Sequence, residues 1–320
     1  MAPSNRKTIW VTGASGFIGQ HLCRLLSSDD NFVVLFGRRN GVSLLESTAI
    51  FHWISPFITS ESFSEATNQF GPPSIIYHLA GSSAVGPSFS NPELDFKRTV
   101  EPTLALLEWI RSNSLTSRLI YTSSAAVYGG NYSTPIKECC STKPLSPYGT
   151  HKLIAENLCE SYSINFDIDV SILRLFSVFG EHLRKQLIWD LCEKLRQSPD
   201  ILQLSGSGNE LRDWIYVGDV VSIMVEIANY SSELPLFVNV GYGKSSSVSQ
   251  FINYVCSSWA SIANKDLPPV TFDLPMREGD PSCLVADIST LQELNIGFSH
   301  TLDEAIHRYV NWYLTLASSM

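Results

Sequence analysis

No stretch of this 320-residue sequence approaches the run of roughly 18 apolar residues that marks a membrane-spanning helix, so no membrane association is expected. The opening residues 1–8 are short and polar and lack the apolar core of a secretory leader, which predicts a cytoplasmic address. Basic residues are in deficit: 22 Lys and Arg against 31 Asp and Glu leave a net charge of -9. No global field therefore draws the chain to nucleic acid, and any phosphate it binds must be held by local groups. The seven cysteines form no CxxC pair and no Cys/His cluster, and only Cys139 and Cys140 are adjacent. That pattern excludes the usual zinc spacings, predicts no metal, and reads as reduced, mostly buried thiols. Internal repeats and low-complexity tracts are absent as well.

What is present is an alternation. Short apolar runs at 9–12, 32–36, 75–80, 119–122, 168–176 and 236–240 are separated by helical stretches, and buried parallel strands read this way because both of their faces are covered. Between the first two runs Ile18, Leu22, Leu25 and Leu26 form one helical stripe, which makes a βαβ unit. The fold class is therefore α/β, a doubly wound parallel sheet of the Rossmann type. The boundaries are expected at 1–176 for a dinucleotide-binding domain and 177–320 for a smaller, mostly helical substrate domain. One strand near 236–240 returns to the main sheet.

The segment TGASGFIG at residues 12–19 falls between the first strand and the first helix. In that context Gly13 permits a tight turn, Gly16 lets backbone approach a pyrophosphate, and Gly19 allows close helix packing. Gly13, Ser15, Gly16, Phe17, Ile18 and Gly19 are the candidate contacts. About 20 positions on, a carboxylate would hold the ribose hydroxyls of NAD and repel a 2′-phosphate. The chain instead carries Arg38 and Arg39, two guanidiniums suited to a phosphate, so NADP is expected over NAD. Leu79, Ala80 and Gly81 end another strand with little bulk and are expected against the cofactor, while His78 reads as structural.

Tyr148 and Lys152 stand four apart after Pro147, on one face of a helix that begins there. A phenol ionises near pH 10, and a neighbouring ammonium is expected to lower that value toward neutrality. The strand at 119–122 leads into SSAAVYG at 123–129, where Ser124 can hydrogen-bond a substrate oxygen that changes between hydroxyl and carbonyl. His151 points off the Tyr148 and Lys152 face and reads as a bystander, and Tyr128 as packing.

Taken in order, TGASGFIG, HLAG, SSAAVYG, YGTHK, RLFSVFG, GSGNELRDWIYVGDV and REGDP resemble the extended short-chain dehydrogenase/reductase family, in its nucleotide-sugar epimerase/dehydratase branch. The resemblance implies Ser124, Tyr148 and Lys152 as the catalytic set, with Tyr148 the general acid/base. It also implies Arg212 and Arg277 on the diphosphate of a nucleotide sugar, a weaker sugar contact from Ser177, and a homodimer. The alternative for Arg212 is an ion pair with Asp213 or Asp219.

Three departures bear on the reaction. Ala125 and Ala126 occupy the positions where sugar dehydratases of the branch carry acidic proton carriers, which argues against dehydration. Arg38 and Arg39 depart from the NAD-retaining epimerases, and Thr99-Val100-Glu101-Pro102-Thr103 departs from their Asn-Val-x-Gly-Thr pattern. The expectation is therefore NADPH-dependent reduction of a 4-keto, often 6-deoxy, nucleotide sugar. The alternative is C4 epimerisation of a nucleotide hexose with tightly bound NAD, which the HLAGSSAVG stretch at 78–86 favours.

Overall fold

The computed structural model describes residues 7–27, 32–37, 51–53, 58–113, 115–130, 132–274 and 281–318. In chain order the first half contains β1 (Thr8–Thr12), α1 (Phe17–Leu26), β2 (Phe32–Phe36), β3 (Phe51–Trp53), α2 (Ser60–Phe70), β4 (Ile75–His78), α3 (Val85–Ser90), α4 (Pro92–Ser112), β5 (Arg118–Ser124), a 3₁₀ turn at Ala125–Tyr128, α5 (Pro147–Phe166) and β6 (Val170–Leu175). There follow β7 (Ser177–Phe179), α6 (Gln186–Arg196), β8 (Leu202–Ser205), β9 (Leu211–Tyr216), α7 (Val217–Ala228), β10 (Phe237–Val240), β11 (Ser245–Ser247), α8 (Val248–Ala263), β12 (Val270–Leu274), β13 (Cys283–Leu284), α9 (Ser289–Glu293) and α10 (Leu302–Ser318). No helix among the described residues is long and apolar enough to cross a membrane.

Seven strands form the main sheet in the order β10-β6-β5-β4-β1-β2-β3. The strand order reverses between β1 and β4, which is the doubly wound arrangement and the place where such sheets open a crevice for ligands. The ladders from β3 to β6 are parallel. Their register explains the core: Val34, Trp10, Ile76, Leu119 and Val170 are successive partners across five strands and so point to one face. Helices α2 and α4 bring Phe63, Leu106 and Trp109 onto that face, all buried. Trp10 stacks on Trp109 at 4.9 Å and on Phe63 at 5.8 Å between ring centroids. Two residues further along the same face, Phe36, Thr12, His78, Tyr121 and Ile172 form the next row. This row puts polar groups at the carboxyl ends of the strands, beneath the helices that carry the chemistry.

The chain divides into two compact units. The first comprises 1–129, 138–175 and 221–238, and the second 130–137, 176–220 and 239–320. In the second unit β9 is the hub: β7 and β13 pair with it in parallel and β11 antiparallel, while β8 and β12 form a separate parallel pair. The apolar-run reading anticipated one strand after residue 177, and β10 is that strand. The others are very short, as β7 and β13 are, or interrupted by polar residues, as in LQLS, LRDWIY, SSS and VTFDL, and do not stand out as apolar runs.

The thiols are free and mostly buried, as expected. Cys23, Cys159, Cys192 and Cys256 are buried, but Cys139 is exposed and Cys140 and Cys283 are partly exposed. Cys139 and Cys140 fall in a polar connecting turn, so apolar residue type did not decide their burial.

Candidate active site

The glycine segment is built as a loop folded against the end of β4. Gly13 has φ 70, donates its N–H to the Phe36 carbonyl at 2.9 Å, and would place a Cβ only 2.8 Å from the Ala80 nitrogen. Only glycine meets both demands, positive φ and close approach. Gly16 precedes α1 in extended backbone with no side-chain cap, and no acidic residue lies in the first turn. An anion can therefore take up the helix N-terminus, whose N–H groups and dipole favour negative charge. At Gly19 an added Cβ would meet the Gly13 carbonyl oxygen at 2.3 Å, so the space that matters there belongs to the loop's own backbone and not to the sheet. Ser15 lies beside Gly37, whose added Cβ would be 3.1 Å from the Ser15 hydroxyl, and Phe17 packs edge-on against His21 at 5.5 Å. Ile18 is half-buried in the first turn of α1.

This crowding makes a stability prediction. Gly19→Ala is expected to cost about 3 kcal/mol, the upper end of the overpacking range, because the obstacle is backbone and cannot rotate away. Chemical denaturation measures it, and a loss below about 0.5 kcal/mol would mean the loop relaxes freely.

Behind the loop lies a hydrogen-bond relay whose direction can be worked out from its ends. The Thr103 hydroxyl donates to the Thr99 carbonyl at 2.7 Å, so at 3.1 Å it must accept from Nε2–H of His78. Nδ1 of His78 is then the acceptor for the Thr12 hydroxyl at 2.7 Å, and the Thr12 oxygen in turn accepts the Ala80 N–H at 3.2 Å. Burial, aided by Lys152, pushes the His78 imidazole down to about 3, so it is neutral. The Ser82 N–H donates to the Thr99 hydroxyl at 3.2 Å. Leu79, Ala80 and Gly81 are thereby strapped to α4. The departure at residues 99–103 keeps a hydrogen-bonding side chain at both ends, and α4 runs through Pro102 as one helix.

Ser146 caps α5 by accepting the Gly149 N–H at 3.1 Å, and Pro147 opens the helix where its missing N–H costs nothing. The Tyr148 N–H is taken by the Ser88 hydroxyl of α3 at 3.1 Å. Ser124 ends β5 and accepts the Ala126 N–H at 3.2 Å, and its hydroxyl is near enough to the Tyr148 phenol to lower that group's pKa. Lys152 is buried and donates to the Thr122 carbonyl at 2.8 Å, with its ammonium 5.2 Å from the centre of the Tyr121 ring. Gly81 leaves room for that ammonium, since an added Cβ would stand 3.2 Å from Nζ. The three residues expected from the sequence are thus brought together in the first unit.

Their acidities differ from the expectation. Tyr148 keeps part of its surface in solvent, yet the protein packed around its hydroxyl raises its pKa; the Ser124 hydrogen bond opposes this and Asp95 adds to it. The expected lowering by Lys152 is not what acts on the phenol here. Burial pushes Lys152 itself down to about 8, against the pull of Glu156 and Asp95.

Residues that the sequence reading left without a role complete this face of α5. Glu156, one turn beyond Lys152, forms a buried ion pair with Arg174 of β6 at 2.8 Å. The same guanidinium donates to the Tyr128 hydroxyl and to the Glu138 carbonyl, both at 2.9 Å, and packs over the rings of Tyr128 and Phe237. The signal was available, since Tyr148, Lys152 and Glu156 are spaced four apart and Arg174 lies in the quoted RLFSVFG. His151 meets Asp95 of α4 at 2.6 Å.

In the second unit Ser177 pairs with Trp214, and Arg212 stands two residues before Trp214 on β9. Ser177 and Arg212 therefore project to one face of that small sheet. Neither carboxylate proposed as an alternative partner is turned to Arg212. Asp213 accepts the N–H groups of Tyr242, Gly243 and Ala286 at 2.6, 2.9 and 3.1 Å, and burial pushes it up to about 6. Asp219 accepts from the Ser299 N–H and faces His300, both at 2.9 Å. Arg38, Arg39 and Arg277 lie outside the described residues.

The sequence profile of the NAD dependent epimerase/dehydratase family matches residues 9–241. A putative UDP-glucose 4-epimerase of Methanocaldococcus jannaschii is 29% identical over 315 residues, covering 95% of this chain and 97% of its own. The UDP-glucose 4-epimerase of Schizosaccharomyces pombe is 29% identical, with 89% and 88% covered. Among solved structures, UDP-glucuronic acid 4-epimerase of Bacillus cereus, in complex with UDP-glucuronic acid and NAD, superposes with a TM-score of 0.86 at 26% identity, over 97% of this chain and 99% of that one.

Proposed function

Because the chain belongs to the NAD dependent epimerase/dehydratase family, we propose that it is a C4 epimerase of a UDP-sugar working with retained NAD. The observation that carries this reading is the phenol of Tyr148, near enough to Ser124 for that hydroxyl to lower its pKa and one helical turn from Lys152, with Ala125 and Ala126 following Ser124 in place of acidic groups. Such a set can move one proton to and from a carbinol oxygen, and it lacks the additional carriers that loss of water requires.

A nicotinamide ring bound beside these groups supplies a reversible hydride acceptor. Tyr148, as phenolate, takes the proton of the sugar C4 hydroxyl as that carbon becomes a ketone, and returns it when the ketone is reduced on its other face. Ser124 steadies the same oxygen through both changes. Lys152, kept in place by the Thr122 carbonyl, would hold the nicotinamide ribose hydroxyls. Gly13, Ser15, Gly16, Phe17, Ile18 and Gly19 would hold the dinucleotide pyrophosphate, and Leu79, Ala80 and Gly81 would line the same cofactor. Arg212 and Ser177 of the second unit are assigned to the substrate diphosphate and sugar, with Arg277 as a further diphosphate contact.

The reductive reading uses the same three residues with NADPH, and rests on Arg38 and Arg39. The relatives support epimerisation over it: those compared are named as 4-epimerases, and the solved one holds NAD. Purified protein is expected to release NAD on denaturation and to interconvert UDP-glucose with UDP-galactose, or UDP-glucuronate with UDP-galacturonate, with no net change in nicotinamide absorbance. Stoichiometric oxidation of added NADPH by a 4-keto nucleotide sugar, without epimerisation, would overturn the proposal.

A further inference from the structure

Asp213 is fully buried in the second unit, one residue along β9 from Arg212, which keeps part of its surface in solvent. Its two oxygens take three backbone N–H groups from two separate segments. Oδ1 accepts from Tyr242 at 2.6 Å, and Oδ2 accepts from Gly243 at 2.9 Å and from Ala286 at 3.1 Å. Gly243 has φ 75, a left-handed conformation that helps consecutive N–H groups converge on one anion. Gly241 leaves the space for this, since an added Cβ would stand 2.6 Å from Oδ2.

These bonds fall where the ladders beside β9 stop. β11 pairs with β9 through Ser245, Ser246 and Ser247, opposite Asp213, Arg212 and Leu211, and β13 through Cys283 and Leu284, opposite Leu211 and Arg212. Ladders this short, one of them all serine, specify register weakly because no apolar alternation pins them. The carboxylate continues both, for Tyr242 and Gly243 precede β11 and Ala286 follows β13. A one-residue slip of β9 would exchange the faces of Arg212 and Asp213 and bury the guanidinium.

We propose that Asp213 is a positioning residue for substrate binding: by fastening β9 to residues 242, 243 and 286 it holds Arg212 on the face shared with Ser177, toward the diphosphate of a nucleotide sugar. The proposal rests on the assignment of Arg212 to that diphosphate. Asp213 acts through the strand and not on the substrate.

Asp213→Asn keeps the shape of the side chain but turns an amide NH2 toward at least one of the three N–H groups, whichever way the amide is flipped. Binding of UDP to the NAD-loaded protein, measured by calorimetry, is expected to weaken about tenfold, and KM for the UDP-sugar turned over to rise by a similar factor while kcat stays within about threefold. Arg212→Gln is expected to weaken UDP at least as much. The signature is non-additivity: in the Arg212→Gln background Asp213→Asn should cost less than about a further twofold, because the group it positions is gone. A merely structural carboxylate would give losses that multiply. Multiplied losses, or unchanged UDP affinity in a folded Asp213→Asn protein, would overturn the proposal. If Asp213→Asn does not fold, Gly241→Ala, which crowds Oδ2 and leaves the charge intact, is read by the same cycle. Unchanged UDP affinity in Arg212→Gln would overturn the assignment of Arg212 and this proposal with it, and failure of the wild type to bind UDP would overturn the UDP-sugar reading; neither result resembles multiplied losses.

Discussion

Tyr148→Phe is expected to lower kcat by about a thousandfold, within the range that a positioned acid/base contributes, while thermal unfolding and dinucleotide affinity stay near wild type. The reasoning is local. The ring is retained, Ser146 still caps α5, and the Ser88 hydroxyl still accepts the residue 148 N–H, so the helix keeps its place. Ser124 loses the phenol but keeps the Ala126 N–H. What disappears is the one hydroxyl able to take the substrate proton in either direction. Turnover measured by separating the two epimeric UDP-sugars checks this, and a loss smaller than tenfold would assign the proton to another group.

Lys152→Met is expected to reduce kcat by about a hundredfold or more and to weaken dinucleotide binding as well, which separates it from the tyrosine variant. Methionine preserves the length of the buried stem but removes the ammonium that donates to Thr122 and lies over Tyr121. The pH dependence has opposite signs for activity and for stability. In the wild type Lys152 loses its proton near 8, so activity that needs the ammonium declines as pH rises through that value. For stability, burial lowers this amine from 10.5 to about 8, so between those values the unfolded chain binds more protons than the folded one. Stability contributed at this site therefore rises with pH across that window. Relative to Lys152→Met, which does not titrate there, the wild type should gain stability from pH 8 to 10 as its activity falls. Denaturation midpoints and rates on the same samples test both signs, and parallel decline of the two would place the titration elsewhere.

The neutral state of His78 and the raised pKa of Tyr148 share one main cause, loss of water around groups that the fold buries near the carboxyl ends of β4 and β5. A linear reading assigns to a side chain the partners nearest in the chain, which is why Lys152 seemed the natural influence on the phenol. In the folded protein the Lys152 ammonium is directed to the Thr122 carbonyl, and Ser124, 24 positions before Tyr148, is the group that lowers the phenol's pKa. Helical spacing turns His151 off the Tyr148 and Lys152 face of α5. That geometry is right, but the face it takes is covered by α4, where Asp95 waits.

Glycines required by a turn, a Tyr and a Lys at helical spacing, and apolar runs with both faces covered were readable without coordinates, because each is a constraint between residues close in the chain. They indicated the parallel sheet, the dinucleotide loop and the Tyr148 and Lys152 candidates, while the order of the quoted motifs carried the resemblance to the family. Tertiary structure alone decided which carboxylates lie beside those candidates, how His78 is protonated, and that Asp213 serves backbone N–H groups and not Arg212. Such matters depend on desolvation and on contacts between distant segments, and neither is expressed in the spacing of residues along the chain.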